Sequence, residues 1–151
     1  MTFDREKYLQ RIKYSGPLEP NLDLLKKLQK THLLHVPFEN LDIHYPSPIE
    51  LDIARIYAKI VFNNRGGFCY ELNGLFYELL FSLGYNAKRI SARVFEKNDN
   101  YGPEYDHFAI IVQIGNVEYL TDVGFGELLF EPLELQLNQI PEDARGSFLI
   151  D

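Results

Sequence analysis

Apolar and polar positions change their spacing once along this chain, near Gly84. Before it the spacing is helical. Asp4 to Tyr14 reads as a short amphipathic helix that stops at Ser15-Gly16-Pro17. Asn21 is a natural N-cap for a second helix, in which Leu22, Leu25 and Leu28 and the Leu24–Leu28 pair recur at one-turn spacing until about Leu34. Pro37 then ends it. A loop with Pro46 and Pro48 follows. From Asp52 to Phe62, the residues Ile53, Ile56, Tyr57 and Ile60 share one face. The next helix is predicted from about Cys69 to Leu83, burying Leu72, Phe76, Leu79, Leu80 and Leu83, with Gly84 as its C′ residue.

After Gly84 the pattern turns to β-branched and aromatic runs. Ala87 to Phe95, Asp106 to Ile114 and Val117 to Val123 read as strands, with Asn98 to Glu104 a polar loop. Gly115-Asn116 joins the last two, and glycine at the first central position suits a type II′ hairpin. The predicted fold class is therefore α+β. A helical bundle over residues 1–85 precedes an antiparallel, β-barrel-like domain over 86–151. Gly146 to Asp151 reads as the start of another strand with nothing beyond it to pair, so the chain is expected to be a fragment.

Composition narrows the classes. The chain has 151 residues, 46% of them hydrophobic, enough for one substantial core or two small abutting ones. A net charge of −7 argues against a nucleic-acid or anionic-membrane partner. The one local basic run, Lys88-Arg89-Ile90-Ser91-Ala92-Arg93, reads either as a site for an anionic cofactor or as solvated strand ends. No run approaches the roughly 18 apolar residues of a membrane span, and no secretory leader is visible. One cysteine forms no internal disulfide framework and fits a reducing interior, so a cytoplasmic location is expected.

That cysteine has a telling address. In Arg65-Gly66-Gly67-Phe68-Cys69-Tyr70-Glu71-Leu72-Asn73-Gly74 it follows a Gly-Gly turn and opens an apolar helix. The partial positive charge of a helix N-terminus favours thiolate, the nucleophile of covalent acyl transfer. His107 lies in a strand with apolar neighbours, and Asp122 near the end of the hairpin's second strand. With Ile114 opposite Val117, His107 faces position 124, two residues from Asp122, so the two share a face as a diagonal pair. Each residue also has a plain structural reading: a small buried hydrophobe, a satisfied strand histidine, a turn aspartate before glycine. Together they form a nucleophile, a base and a carboxylate that fixes the imidazole tautomer. Their order also fits transglutaminase-like or papain-like chemistry. His32, His35 and His44 lack a second cysteine or a carboxylate cluster to complete a metal site, so no metal is expected.

Four motifs go further: Arg65-Gly-Gly-Phe-Cys-Tyr-Glu-Leu-Asn, His35-Val-Pro-Phe-Glu-Asn-Leu, Asp106-His107-Phe and Asp122-Val-Gly-Phe-Gly. Taken in chain order, and at the intervals they have there, they closely resemble the arylamine N-acetyltransferase family, over essentially the whole chain. The resemblance implies ping-pong transfer of acetyl from acetyl-CoA to Cys69 and then to an arylamine, hydrazine or N-hydroxyarylamine. It makes Cys69 the nucleophile, His107 its ion-pair partner and Asp122 the orienting carboxylate. It also implies a buried Glu39–Arg65 pair supporting the cysteine loop, and aromatic lining of the acceptor pocket by Phe38 and Phe125. Gly124 and Gly126 would allow close approach of backbone to a ligand. Family members continue beyond this chain's length into the rest of a barrel and a third domain that helps form the CoA cleft. Two alternatives stand beside this reading: an amide synthase of the same fold with another acceptor, and a catalytically silent fragment that binds small aromatics. The sequence does not fix the oligomeric state.

Overall fold

Local capping sets the helices. In the computed structural model, which describes residues 3–45, 48–96, 100–126, 129–140, 142–143 and 146–150, the Asp4 carboxylate accepts from the amides of Glu6 and Lys7. Helix α1 then spans Arg5–Arg11. It is shorter than the predicted 4–14 because Lys13 turns left-handed, at φ 55°, and closes the end. Asn21 caps α2 (Leu22–His35) as predicted, its Oδ1 accepting from Leu24 N–H at 2.9 Å. One turn, α3 (Leu41–His44), forms inside the predicted loop. Asp52 caps α4 (Ile53–Tyr57), which widens into a π turn over Ala58–Phe62. Helix α5 (Cys69–Ser82) begins on the cysteine, and Gly84 beyond its end takes φ 88°.

Helix α5 is the centre of the molecule. Leu72, Leu75, Phe76, Leu79 and Leu80 are fully buried. Tyr8, Leu25, Leu28, Tyr57 and Ile60 join them from the other helices, and Ile110, Val112, Tyr119 and Val123 from the β region. One hydrophobic cluster thus serves both halves of the chain.

The main sheet is antiparallel. Its order is β1 (Asn86–Ala92), β4 (His107–Ile114), β5 (Val117–Thr121) and β6 (Leu133–Glu134). Ile114 pairs with Val117 in the register expected, and Gly115 alone of the two turn residues has positive φ, as a type II′ hairpin requires. Ala92 pairs with His107 at the far end of β1 and β4. Alternation then sends Ile110 and Val112 into the core, while His107, Ala109 and Ile111 line a cavity on the other face.

Three departures from the sequence reading concern this region. The first predicted strand breaks after Ala92, and Phe95–Glu96 (β2) instead pairs with Asn100–Tyr101 (β3) in a separate hairpin. No closed barrel forms among the described residues: β1 and β6 stand at opposite edges of an open sheet, and four strands are too few to close one. Glu142–Asp143 (β7) and Gly146–Ser147 (β8) make a further small ladder, so Gly146 does have a strand partner. No described helix is long and apolar enough to cross a membrane.

Candidate active site

The loop before Cys69 is held by close backbone packing. A Cβ on Gly66 would collide with the Pro37 carbonyl oxygen, so only glycine fits there. Phe38 and Gly67 form a parallel bridge, and Glu39 N–H donates to Gly67 O at 2.9 Å. Arg11 adds a clamp from α1. Its guanidinium donates to the carbonyls of His35, Ile60, Asn64 and Arg65, joining the end of α2, the π turn and the cysteine loop.

Glu39 and Arg65 meet at 2.6 Å, but not as an isolated buried pair. Arg65 is 38% exposed and also reaches Asp42 at 2.7 Å. Lys59, from the π turn, contacts Asp42 at 2.8 Å and Glu71 at 2.7 Å. Glu71 in turn accepts from Phe68 N–H at 3.1 Å, fixing the first turn of the helix that carries Cys69. Lys59, and then Arg65, hold the Asp42 carboxyl below the usual carboxylate range. The network thus has five members, three of which (Lys59, Asp42 and Glu71) were given no role in the sequence reading.

Partly buried Cys69 stands at the first position of α5. His107 Nε2 lies 2.6 Å from Asp122 Oδ2, with both side chains almost wholly buried. Burial pulls the pKa of the imidazole down. Hydrogen bonding and charge, from Asp122 and then from Cys69, outweigh that loss and carry His107 up to about 9. The second carboxylate oxygen, Asp122 Oδ1, accepts from Gly124 N–H and from Asn73 Nδ2, each at 2.8 Å.

The space beside His107 is apolar. A cavity of about 440 Å³ is lined by Ile90, Phe95, Ala109, Ile111, Leu120 and Leu135, and also by Arg93, His107, Asp122 and Phe125. The Phe125 ring meets the His107 ring edge-on at 5.2 Å. Phe38, half exposed, is not among the lining residues. Gly124 makes a close approach, but to the chain itself: a Cβ there would lie 2.7 Å from Cys69 Cα. Gly126 takes a left-handed φ of 84°.

Two other sequence features resolve otherwise. Lys88 pairs with Glu118 and Arg89 with Glu78, so two of the three cations of the basic run have acidic partners, while Arg93 donates to the Gly102 and Tyr101 carbonyls. His32 is fully buried against the Tyr8 hydroxyl at 2.8 Å; desolvation, then Arg11, push its pKa down to about 3. His35 closes α2 on the Thr31 carbonyl.

An N-acetyltransferase family model matches residues 21–151. A pineal gland arylamine N-acetyltransferase isozyme of Gallus gallus is 41% identical over 149 residues, covering 96% of this chain and 51% of that protein. Among solved structures, the arylamine N-acetyltransferase of Salmonella typhimurium superposes with a TM-score of 0.89 at 31% identity, over 97% of this chain and 54% of that one. The Mycobacterium marinum arylamine N-acetyltransferase in complex with CoA gives 0.86 at 34% identity, over 93% and 54%. The chain spans about half the length of the curated relatives it matches. With the family model over residues 21–151, a relative 41% identical over 96% of the chain and the shared α+β fold, this chain belongs to the arylamine N-acetyltransferase family.

Proposed function

We propose that this chain carries the acyl-transfer centre of an arylamine N-acetyltransferase, with Cys69 as nucleophile, His107 as base and acid, and Asp122 as the carboxylate that orients the ring. The observation that carries this reading is the His107 imidazole, hydrogen-bonded to Asp122 at 2.6 Å, acted on by the Cys69 thiol and open to an apolar cavity. The helical residues 1–85 supply the nucleophile and residues 86–151 the histidine and aspartate. The shared core holds the two together. A reducing compartment such as the cytoplasm keeps the single thiol available.

The steps balance as a double displacement. The Cys69 thiolate attacks the thioester carbonyl of acetyl-CoA, the bond from carbonyl carbon to the CoA sulfur breaks, and the departing thiolate takes the proton held by His107. An arylamine, hydrazine or N-hydroxyarylamine nitrogen then attacks the Cys69 thioester. His107 accepts the amine proton, and Cys69 leaves as thiolate. Backbone amides at the start of α5 are the natural donors to the tetrahedral oxyanion. Phe125, beside His107, offers a face to a flat aromatic acceptor in the cavity.

The test is release of CoA thiol from acetyl-CoA by the whole chain with a panel of arylamines and hydrazines. Release that depends on the arylamine, and is abolished in Cys69→Ala, is the expected result. Turnover only with other amine acceptors would favour the amide-synthase reading. A folded chain that releases no thiol with any acceptor would refute the proposal.

A further inference from the structure

Asn73 lies one turn after Cys69 on α5, so the two share a helix face. Its side chain is fully buried among the leucines and phenylalanine of α5. A buried amide is costly unless its donors and acceptor are used, and here they are used on three partners. Nδ2 donates to the Phe108 carbonyl and to Asp122 Oδ1, while Oδ1 accepts from Val123 N–H at 2.8 Å. One side chain thereby ties the nucleophile's helix to the residue after His107, to the Asp122 carboxylate and to the Val123 backbone. The fit is tight: a Cβ on Gly124 would meet Asn73 Nδ2 at 2.8 Å.

From this geometry we infer that Asn73 is a positioning residue, which holds the Asp122 carboxylate in the rotamer that points Oδ2 at His107 and so keeps the imidazole aimed at Cys69. The inference rests on the acyl-transfer reading and adds a residue that makes no contact with substrate. Rotation of Asp122 about its Cα–Cβ and Cβ–Cγ bonds would break the bond to His107. Gly124 N–H, the other donor to Oδ1, is local to the same turn and cannot relate the carboxylate to α5. Only the amide of Asn73 spans that gap among the described contacts.

Two measurements on the full chain separate positioning from plain support of the fold. In Asn73→Ala, NMR titration of His107 should show its midpoint falling from about 9 toward the ordinary histidine value near 6.5. The rate of Cys69 alkylation by iodoacetamide should drop by at least about tenfold, a part of the ~10²–10⁴ that a positioned base contributes. A purely structural asparagine would lower the melting temperature and move neither readout; that result, in a folded variant, overturns the inference. If Asn73→Ala does not fold, the unaltered chain decides. The Asn73 side-chain amide protons should be protected from exchange and should shift as His107 titrates, since both groups bond the same carboxylate. Amide protons that exchange freely and ignore that titration overturn it as well. Coupled titration of Asn73 and His107 in a chain that transfers no acetyl group would uphold the positioning role and remove only the catalytic reading.

Discussion

A thiol becomes useful for acyl transfer only when a proton acceptor is fixed beside it and cannot turn away. On the proposed reading His107 is that acceptor, and opposing effects set its charge: burial disfavours the imidazolium, while Asp122 and then Cys69 favour it and win. The consequence for stability has a definite sign. A histidine raised from 6.5 when unfolded to about 9 when folded adds stability that is fully present below about pH 6.5 and is lost as pH rises through about 9. The gap in melting temperature between the unaltered chain and His107→Gln should therefore be widest below about pH 6.5 and narrow steadily to above about pH 9. Thermal melts across that range check it, and a gap that does not change with pH would contradict the ion pair. His32 behaves oppositely. Its depressed pKa keeps it neutral in the fold, so protonating the unfolded chain in mild acid erodes stability there.

At the scale of elements, the site is a meeting of one helix end with one hairpin end, and Gly124 is where they touch. Gly124→Ala forces a Cβ against Cys69 Cα and Asn73 Nδ2. The change should cost about 1–3 kcal/mol in urea unfolding and should slow alkylation of Cys69. Unchanged stability would mean that α5 and the 122–124 turn are not in contact. The elements themselves were largely legible. Helix α5 announces itself by apolar residues at one-turn spacing and by Gly84, and the β4–β5 hairpin by Gly115-Asn116, whose register then placed His107 near Asp122. Less legible were elements made by tertiary contact. The single turn α3 carries Asp42 into the ion network, and the break after Ala92 follows from pairing of Phe95 with Tyr101, which no local periodicity encodes. Arg11, Lys59, Asp42, Glu71 and Asn73 escaped for the same reason: their partners lie elsewhere in the chain. Asn73 did leave a trace, as a polar residue among the buried positions of an apolar helix.

Across the whole molecule, the hydrophobic cluster that runs from Tyr8 and Leu28 through Phe76 to Ile110 and Tyr119 makes the helical and β regions depend on each other. Helical circular dichroism and the near-ultraviolet signal of the tyrosines should therefore lose structure in one coincident transition. Two separated transitions would show that residues 1–85 and 86–151 fold independently and that the site is held by docking alone. The central claim is that this assembled centre takes an acetyl group onto one atom. It is tested most directly by mixing the folded chain with p-nitrophenyl acetate, quenching in acid within the first turnover and mapping the adduct by mass spectrometry. The account predicts a burst of p-nitrophenol equal to the protein present, with a single acetyl group on the peptide containing Cys69 that is removed when an arylamine is added. A folded chain that gives no burst, or that carries its acetyl groups on lysines with Cys69 free, would contradict it.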